Sequence, residues 1–290
     1  MIYLILSIAA STLIFVVFKL FAKFKINTLH AIVTNYFIAC LCGILSYDGK
    51  ISITELPQFE WFYYTLALGA LFIIVFNLMA VTTQRSGLSV VSVATKMSVV
   101  IPVIFGLIYY NESLGIFKII GILLALVAVY LTSIKNKDGI TIKPENLIFP
   151  LLVFFGSGIV DTGIKYLEGS FVAKNDVPLF SAVVFAAAAV VGIVLLLVQM
   201  LRGKFKFEFK NILGGIALGI PNYASIYFLV QALRSGIFES SGIFTVNNVA
   251  IVAVSTVVGI IFFKEKLILK NWIGIVLALV SIVFVALSKW

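Results

Sequence analysis

The stretch GLIYYNESLGIFKIIGILLALVAV (106–129) returns near the other end of the chain as GIIFFKEKLILKNWIGIVLALVSI (259–282). Gly106, Glu112, Leu114, Gly121 and Ala125 fall on Gly259, Glu265, Leu267, Gly274 and Ala278 without a gap. The tripeptide RSG at 85–87 has a second copy at 234–236, and Ser11 and Lys19 stand against Ser157 and Lys165. The chain therefore reads as a duplication, with halves 1–137 and 138–290.

Composition says where such a duplicated chain lives. Of its 290 residues 62% are hydrophobic and 11% charged, against about 45–50% and about 25% in soluble domains. No water-soluble fold hides that much apolar surface, so an integral membrane protein is expected. Ten apolar segments can be marked, at about 2–22, 29–47, 61–82, 88–110, 115–134, 147–167, 178–201, 211–233, 238–263 and 270–288. They are continuous rather than alternating, which selects helices over a barrel. The fold class is all-α, with ten transmembrane helices as two inverted five-helix repeats. Five is odd, so the second repeat must cross in the opposite sense. Such repeats place a substrate site near the midplane, between the halves.

Several tempting features have plain readings. The net charge of +9 comes mostly from Lys and Arg between apolar runs, where they anchor helix ends at headgroups rather than bind nucleic acid. The first segment has no basic leader and no cleavage site before a soluble domain, so it reads as a retained span. Cys40 and Cys42 share one span and read as small apolar residues. His30, the one histidine, has no sequence neighbours that would make a metal site, and no ATPase signature appears. Hence no enzyme, metal or cofactor is expected, and transport would draw on a gradient.

The candidate chemistry lies inside the spans. Lys96, in VATKMSVVIPV (93–103), stands roughly 13 Å into the fourth segment at about 1.5 Å per residue. An ammonium at bilayer depth costs about 3 kcal/mol on insertion scales and marks function by default. We read it as the anchor for an anionic substrate group, against a structural lysine bonded to carbonyls. Ser92, Thr95 and Ser98 share its neighbourhood. Pro102 lacks an N–H, so it breaks the helix and releases the carbonyl of Ser98. Asp161 either pairs with Lys165, four residues on along the helix, or faces Lys96 and couples protons. Asn247 and Asn248 occupy the matching level of the ninth segment, and buried amides need partners. Asn222, Tyr223 and Tyr227 of the eighth segment and Asn77 of the third complete the candidate pocket. Glu112 and Glu265 read as helix-terminal turns at the membrane surface.

These residues resemble the drug/metabolite transporter superfamily, specifically its EamA-type members. The resemblance rests on five plus five spans and on a small-residue helix with Pro102. The Gly106–Glu112–Leu114 turn and Gly121 helix that follow, repeated near the C-terminus, belong to it too. So does STLIFVVFK (11–19), a first helix that ends in lysine. It departs at Ser255, which stands where the second copy of Pro102 belongs, so a break in the fourth span has no expected partner in the ninth. The resemblance implies a secondary transporter of a small polar metabolite, an amino acid or a related compound, moved outward. Alternating access would then rock the two repeats about the site, in the cell membrane, for a bacterium the inner one. Expected partners are that small molecule, the lipid bilayer and protons, with the protein a monomer or homodimer. A sugar-phosphate or nucleotide-sugar exchanger, which needs a denser basic pocket, and a non-transporting lipid-handling or scaffold protein are the other readings. The connections after odd-numbered segments hold most of the 21 Lys and Arg. The positive-inside rule therefore puts both termini outside; many members of the resembled family are drawn with both inside.

Overall fold

A computed structural model describes residues 1–49, 54–109, 115–133, 145–173, 176–203, 205–235 and 240–287. These form α1 (Ile2–Lys23), α2 (Thr28–Leu45), α3 (Phe62–Ser86), α4 (Leu88–Met97), α5 (Val100–Tyr109) and α6 (Ile116–Ser133). The chain continues as α7 (Glu145–Phe171), α8 (Val177–Leu201), α9 (Phe209–Arg234), α10 (Ser240–Phe263) and α11 (Leu269–Leu287). A single 3₁₀ turn at Leu56–Gln58 is the other helical element, and no strand occurs among the described residues. Seven helices are long and apolar enough to cross a membrane, with shorter apolar runs at Leu88–Pro102, Ile119–Thr132 and Leu269–Phe284. Leu45, Ile108 and Leu201 on the outer surface are exposed, as lipid-facing residues are.

Local chemistry sets the ends. Asn27 caps α2 by accepting the His30 N–H on its side chain at 3.2 Å. Gly87, at φ +106, separates α3 from α4 in a conformation open to glycine. α10 stops at Lys264, which takes φ +52, and the Glu265 N–H then reaches back to the Gly259 carbonyl at 3.0 Å. A left-handed residue at the helix end lets the chain turn back so that the next N–H satisfies a carbonyl of the last turns.

The helices alternate in direction. Asn27 meets Asn211, Arg85 stacks on Phe149, and Asn271 donates to the Leu131 and Thr132 carbonyls at one end of the molecule. Tyr47 meets Asp176, Trp61 packs edge-on against Phe180, and Phe117 lies by Phe284 at the other end. Thus α1 arrives at the first end where α7 departs from it. The most extensive packing joins α6 to α11, α9 to α1 and α2, α8 to α2 and α3, and α7 to α3. α4 sits among α6, α7 and α10. Glycines permit the closest approach: a Cβ at Gly215 would come 2.3 Å from Thr34, and one at Gly219 2.7 Å from Ile38.

One core is aromatic. Phe18, Tyr36, Phe76 and Phe185 join α1, α2, α3 and α8, with Phe18 edge-on to Phe76 at 5.7 Å and Tyr36 stacked on Phe185 at 6.2 Å. A second, smaller core places Val93, Met97 and Val100 against Val129, Phe154, Val252 and Ile275. The second core holds one face of α4, so the polar residues of that helix are left to its other faces.

Candidate functional site

The apolar run 88–110 is broken between α4 and α5, at Ser98 and Val99, four residues before Pro102. A proline at 102 leaves the Ser98 carbonyl without its usual helical donor. The expectation that this carbonyl stays open as an acceptor needs correction: it takes the Ile101 N–H at 2.9 Å in a tighter turn. The break tilts the chain while keeping its backbone satisfied. By contrast α10, whose counterpart of Pro102 is Ser255, runs unbroken through Ser240–Phe263.

Lys96 lies in the last turn of α4, half-buried, where the helix dipole favours a cation. Its ammonium makes no hydrogen bond and no ion pair shorter than 4.0 Å with a described residue. The carboxylate of Asp161, on α7, is within its electrostatic reach. The Ser98 hydroxyl, completely buried, lies 3.4 Å from Asp161 Oδ2 and only 2.5 Å from the Thr95 carbonyl. A hydroxyl has one proton to give. Spent on Thr95, it leaves Asp161 without a strong donor. Asp161 nevertheless keeps accessible surface, so a carboxyl group, a lysine side chain and a hydroxyl gather where α4 and α7 pack.

Polar groups on α4 and on the helices packed against it are under-partnered too. Thr95 Oγ1, Ser157 Oγ and Asn247 Oδ1 are buried with no hydrogen-bond partner, on α4, α7 and α10. Ser157 precedes Asp161 by one helical turn, and sequence reading set it only in the repeat alignment. Asn248 is half-buried. A buried polar atom left unmet costs about 1–3 kcal/mol, and a ligand with donors and acceptors would recover that.

Other candidates have partners of their own. Asn77 donates to the Ile73 carbonyl of its own helix at 2.7 Å. Asn222 donates to Asn35 Oδ1 at 3.1 Å, both buried, and so joins α9 to α2. Tyr223 stacks on Tyr227 at 6.2 Å, and Tyr227 is exposed. The side chain of Lys165 and the whole of Glu112 lie outside the described residues, so the local pairing of Asp161 with Lys165 has no geometry to report. Among the described residues no group of three or more His, Cys, Asp or Glu is placed to hold a metal ion.

Glu265 is the residue that sequence reading undervalued. Read as a surface turn, it instead reaches α4. Its carboxylate accepts the Leu88 N–H at 2.7 Å, the Ser89 N–H at 3.5 Å and the Ser89 hydroxyl at 3.3 Å. Lys19 of α1 lies 3.6 Å away and also donates to the Thr83 carbonyl at 3.2 Å. The only sequence signal was the repeat of Glu112 at 265; the partner was invisible.

With that geometry in place, similarity to known proteins is informative. The pattern of the EamA-like transporter family, which belongs to the drug/metabolite transporter superfamily, matches residues 1–134. An uncharacterised protein of Haemophilus influenzae is 28% identical over 284 residues, covering 96% of this chain and 95% of that one. A solved crystal structure superposes with a TM-score of 0.57 at 12% identity, over 97% of this chain and 96% of the other. That last likeness speaks to fold alone.

Proposed function

Taking as premise that this is a membrane protein of the EamA-like transporter family, whose pattern residues 1–134 carry, we propose a secondary active transporter. Its substrate is a small polar metabolite, an amino acid or a related compound, moved outward by alternating access. The observation that carries this reading is that Lys96 and Asp161 stand near each other between α4 and α7 without an ion pair shorter than 4.0 Å, Asp161 taking only a 3.4 Å bond from Ser98 among the described residues. Charges at that depth cost several kcal/mol unless something compensates them. Direct pairing would be the structural solution, and it is absent among the described residues. The groups are kept apart, ready for a visitor.

Lys96 anchors the substrate's anionic group. Thr95, Asn247 and Asn248 supply hydrogen bonds, and Ser157 adds a hydroxyl one turn from Asp161. Asp161 takes up a proton in the cycle. When protonated it donates to Ser98 Oγ, whose own proton is held by the Thr95 carbonyl at 2.5 Å. When ionised it attracts Lys96 and lacks that bond. The two states thus differ in contacts, as coupling requires.

The packing pattern supports two inverted repeats, 1–137 and 138–290, in ten spans with α4 and α5 as one. Mapping α1, α2, α3, α4/α5 and α6 onto α7, α8, α9, α10 and α11 turns the α1–α9 contact into α7–α3, and α2–α9 into α8–α3. The α2–α8, α4–α10 and α6–α11 contacts map onto themselves. Because these contacts interleave the halves, the movement is carried by sets of helices from both rather than by one whole repeat against the other. The bacterial relative favours a bacterial inner membrane.

The test is thermal stabilisation of purified protein by amino acids, organic acids, sugar phosphates and nucleotide sugars, for wild type and Lys96→Ala. Binding raises the apparent melting temperature by mass action. A shift with amino acids or related compounds that vanishes in the variant is expected. A shift confined to nucleotide sugars, or one undiminished by Lys96→Ala, would sink the assignment.

A further inference from the structure

The Glu265 carboxylate joins three separate parts of the chain at one end of the molecule. It sits in the turn between α10 and α11, and it caps the first turn of α4 through Leu88 and Ser89. It also pairs with Lys19 at the end of α1, at 3.6 Å. Lys19 in turn holds the Thr83 carbonyl in the last turn of α3. The backbone is shaped around this contact. A Cβ on Gly87 would stand 2.5 Å from Glu265 Oε1, and one on Gly259 2.6 Å from Oε2. The left-handed turn at Lys264, with the Glu265 N–H bonded back to the Gly259 carbonyl, turns Glu265 toward α4. The pair is largely shielded, with side-chain exposures of 23% for Lys19 and 11% for Glu265.

Each element involved leads toward the central site or borders it. α4 carries Lys96 less than three turns from the cap, and α10 carries Asn247 and Asn248. Opening a route from this end to Lys96 between α4 and α10 would part the start of α4 from the turn after α10, and Glu265 holds those two together. Carboxylate bonds to N–H groups at a helix start are charge-assisted and directional. They are lost as a unit once the helix start moves by a few ångströms.

We infer that Lys19, Glu265 and the Gly87–Ser89 turn form a latch that keeps this end of the transporter closed. This end carries the lysine-rich connections after α1, α8 and α10. The latch must open when the site faces that side. Closing one end is a requirement of alternating access, so the inference rests on the transporter reading above.

The test reads opening without any substrate. Cys40 and Cys42 are replaced by alanine, and Ser92→Cys is added as a reporter one turn below the latch on α4. Labelling by a membrane-impermeant maleimide is timed from each face in oriented vesicles, with Glu265 and Lys19 intact, with Glu265→Gln and with Lys19→Gln. Expected is labelling from the lysine-rich face about tenfold faster in both variants, with slower labelling from the opposite face, as a shifted population predicts. Lys19→Gln leaves the cap on α4 in place, so it carries the test if Glu265→Gln fails to fold. Labelling from one face at the same ratio in all three proteins overturns the latch and leaves the transporter reading standing. A reporter silent from both faces in every protein overturns both.

Discussion

The ten-residue helix α4 has a carboxylate at each end. Glu265, at its start, meets two N–H groups, a hydroxyl and an ammonium. Asp161, at its finish, meets one hydroxyl at 3.4 Å whose proton is better placed elsewhere. The helix dipole welcomes the first and opposes the second. One carboxylate is saturated by the fold and the other is left wanting. A saturated charge holds elements together; an unsaturated one, kept at a cost, is where a proton or a ligand gains most by arriving.

The comparison breaks most visibly at Lys96. Lys96→Ala should lower transport or binding by roughly tenfold to a hundredfold, the worth of about 1.5–3 kcal/mol for a charged hydrogen bond. Its melting temperature in detergent should hold or rise, since a half-buried charge with no ion pair among the described residues is removed. A large drop in melting temperature with unchanged binding would make the lysine structural. Glu265→Ala should do the reverse to stability and lower it by about 2 kcal/mol, the upper range for a lost helix cap, measured by denaturant titration in mixed micelles. If instead Asp161→Ala costs more stability than Glu265→Ala, the contrast between the two carboxylates fails.

Gly87→Ala sharpens the same contrast. Its φ of +106 falls where other residues are strained by about 1–3 kcal/mol, and its new Cβ would press on the carboxylate. A melting temperature below wild type is expected, and a neutral result would mean the turn can relax away from Glu265. The smallest effect belongs to Asn77→Ala. Its amide is bonded within its own helix, so stability should change by about 0.5 kcal/mol or less and transport hardly at all. A clear transport defect would put Asn77 back in the pocket.

How far the site was legible depends on the range of the interactions. Lys96 stands out because a charge in an apolar run is a local anomaly. Pro102 marks the break because its effect falls on Ser98, four residues away. Asp161 was read with two partners; the structure brings it beside α4 and the Ser98 hydroxyl, a contact 63 residues away that no local pattern signals. Asn222 looked like pocket lining until its partner, 187 residues away, proved to be Asn35. Glu265 looked like a turn because the N–H groups that it caps lie 177 and 176 residues away.

Hydropathy and helix formation are sums over neighbours in the chain, with each backbone group in lipid bonded within its own segment. The sequence by itself therefore determined that this is an all-helical membrane protein and where most of its apolar helices run. Pairing across helices depends on which faces meet, and lipid and neighbouring helices are nearly equally apolar, so hydropathy does not choose between them. Glycine contacts, caps and orphaned polar atoms make that choice only in three dimensions. That is why the tertiary structure alone decided that Glu265 is well bonded, that Asp161 meets only a distant hydroxyl among the described residues, and that α4 joins the two.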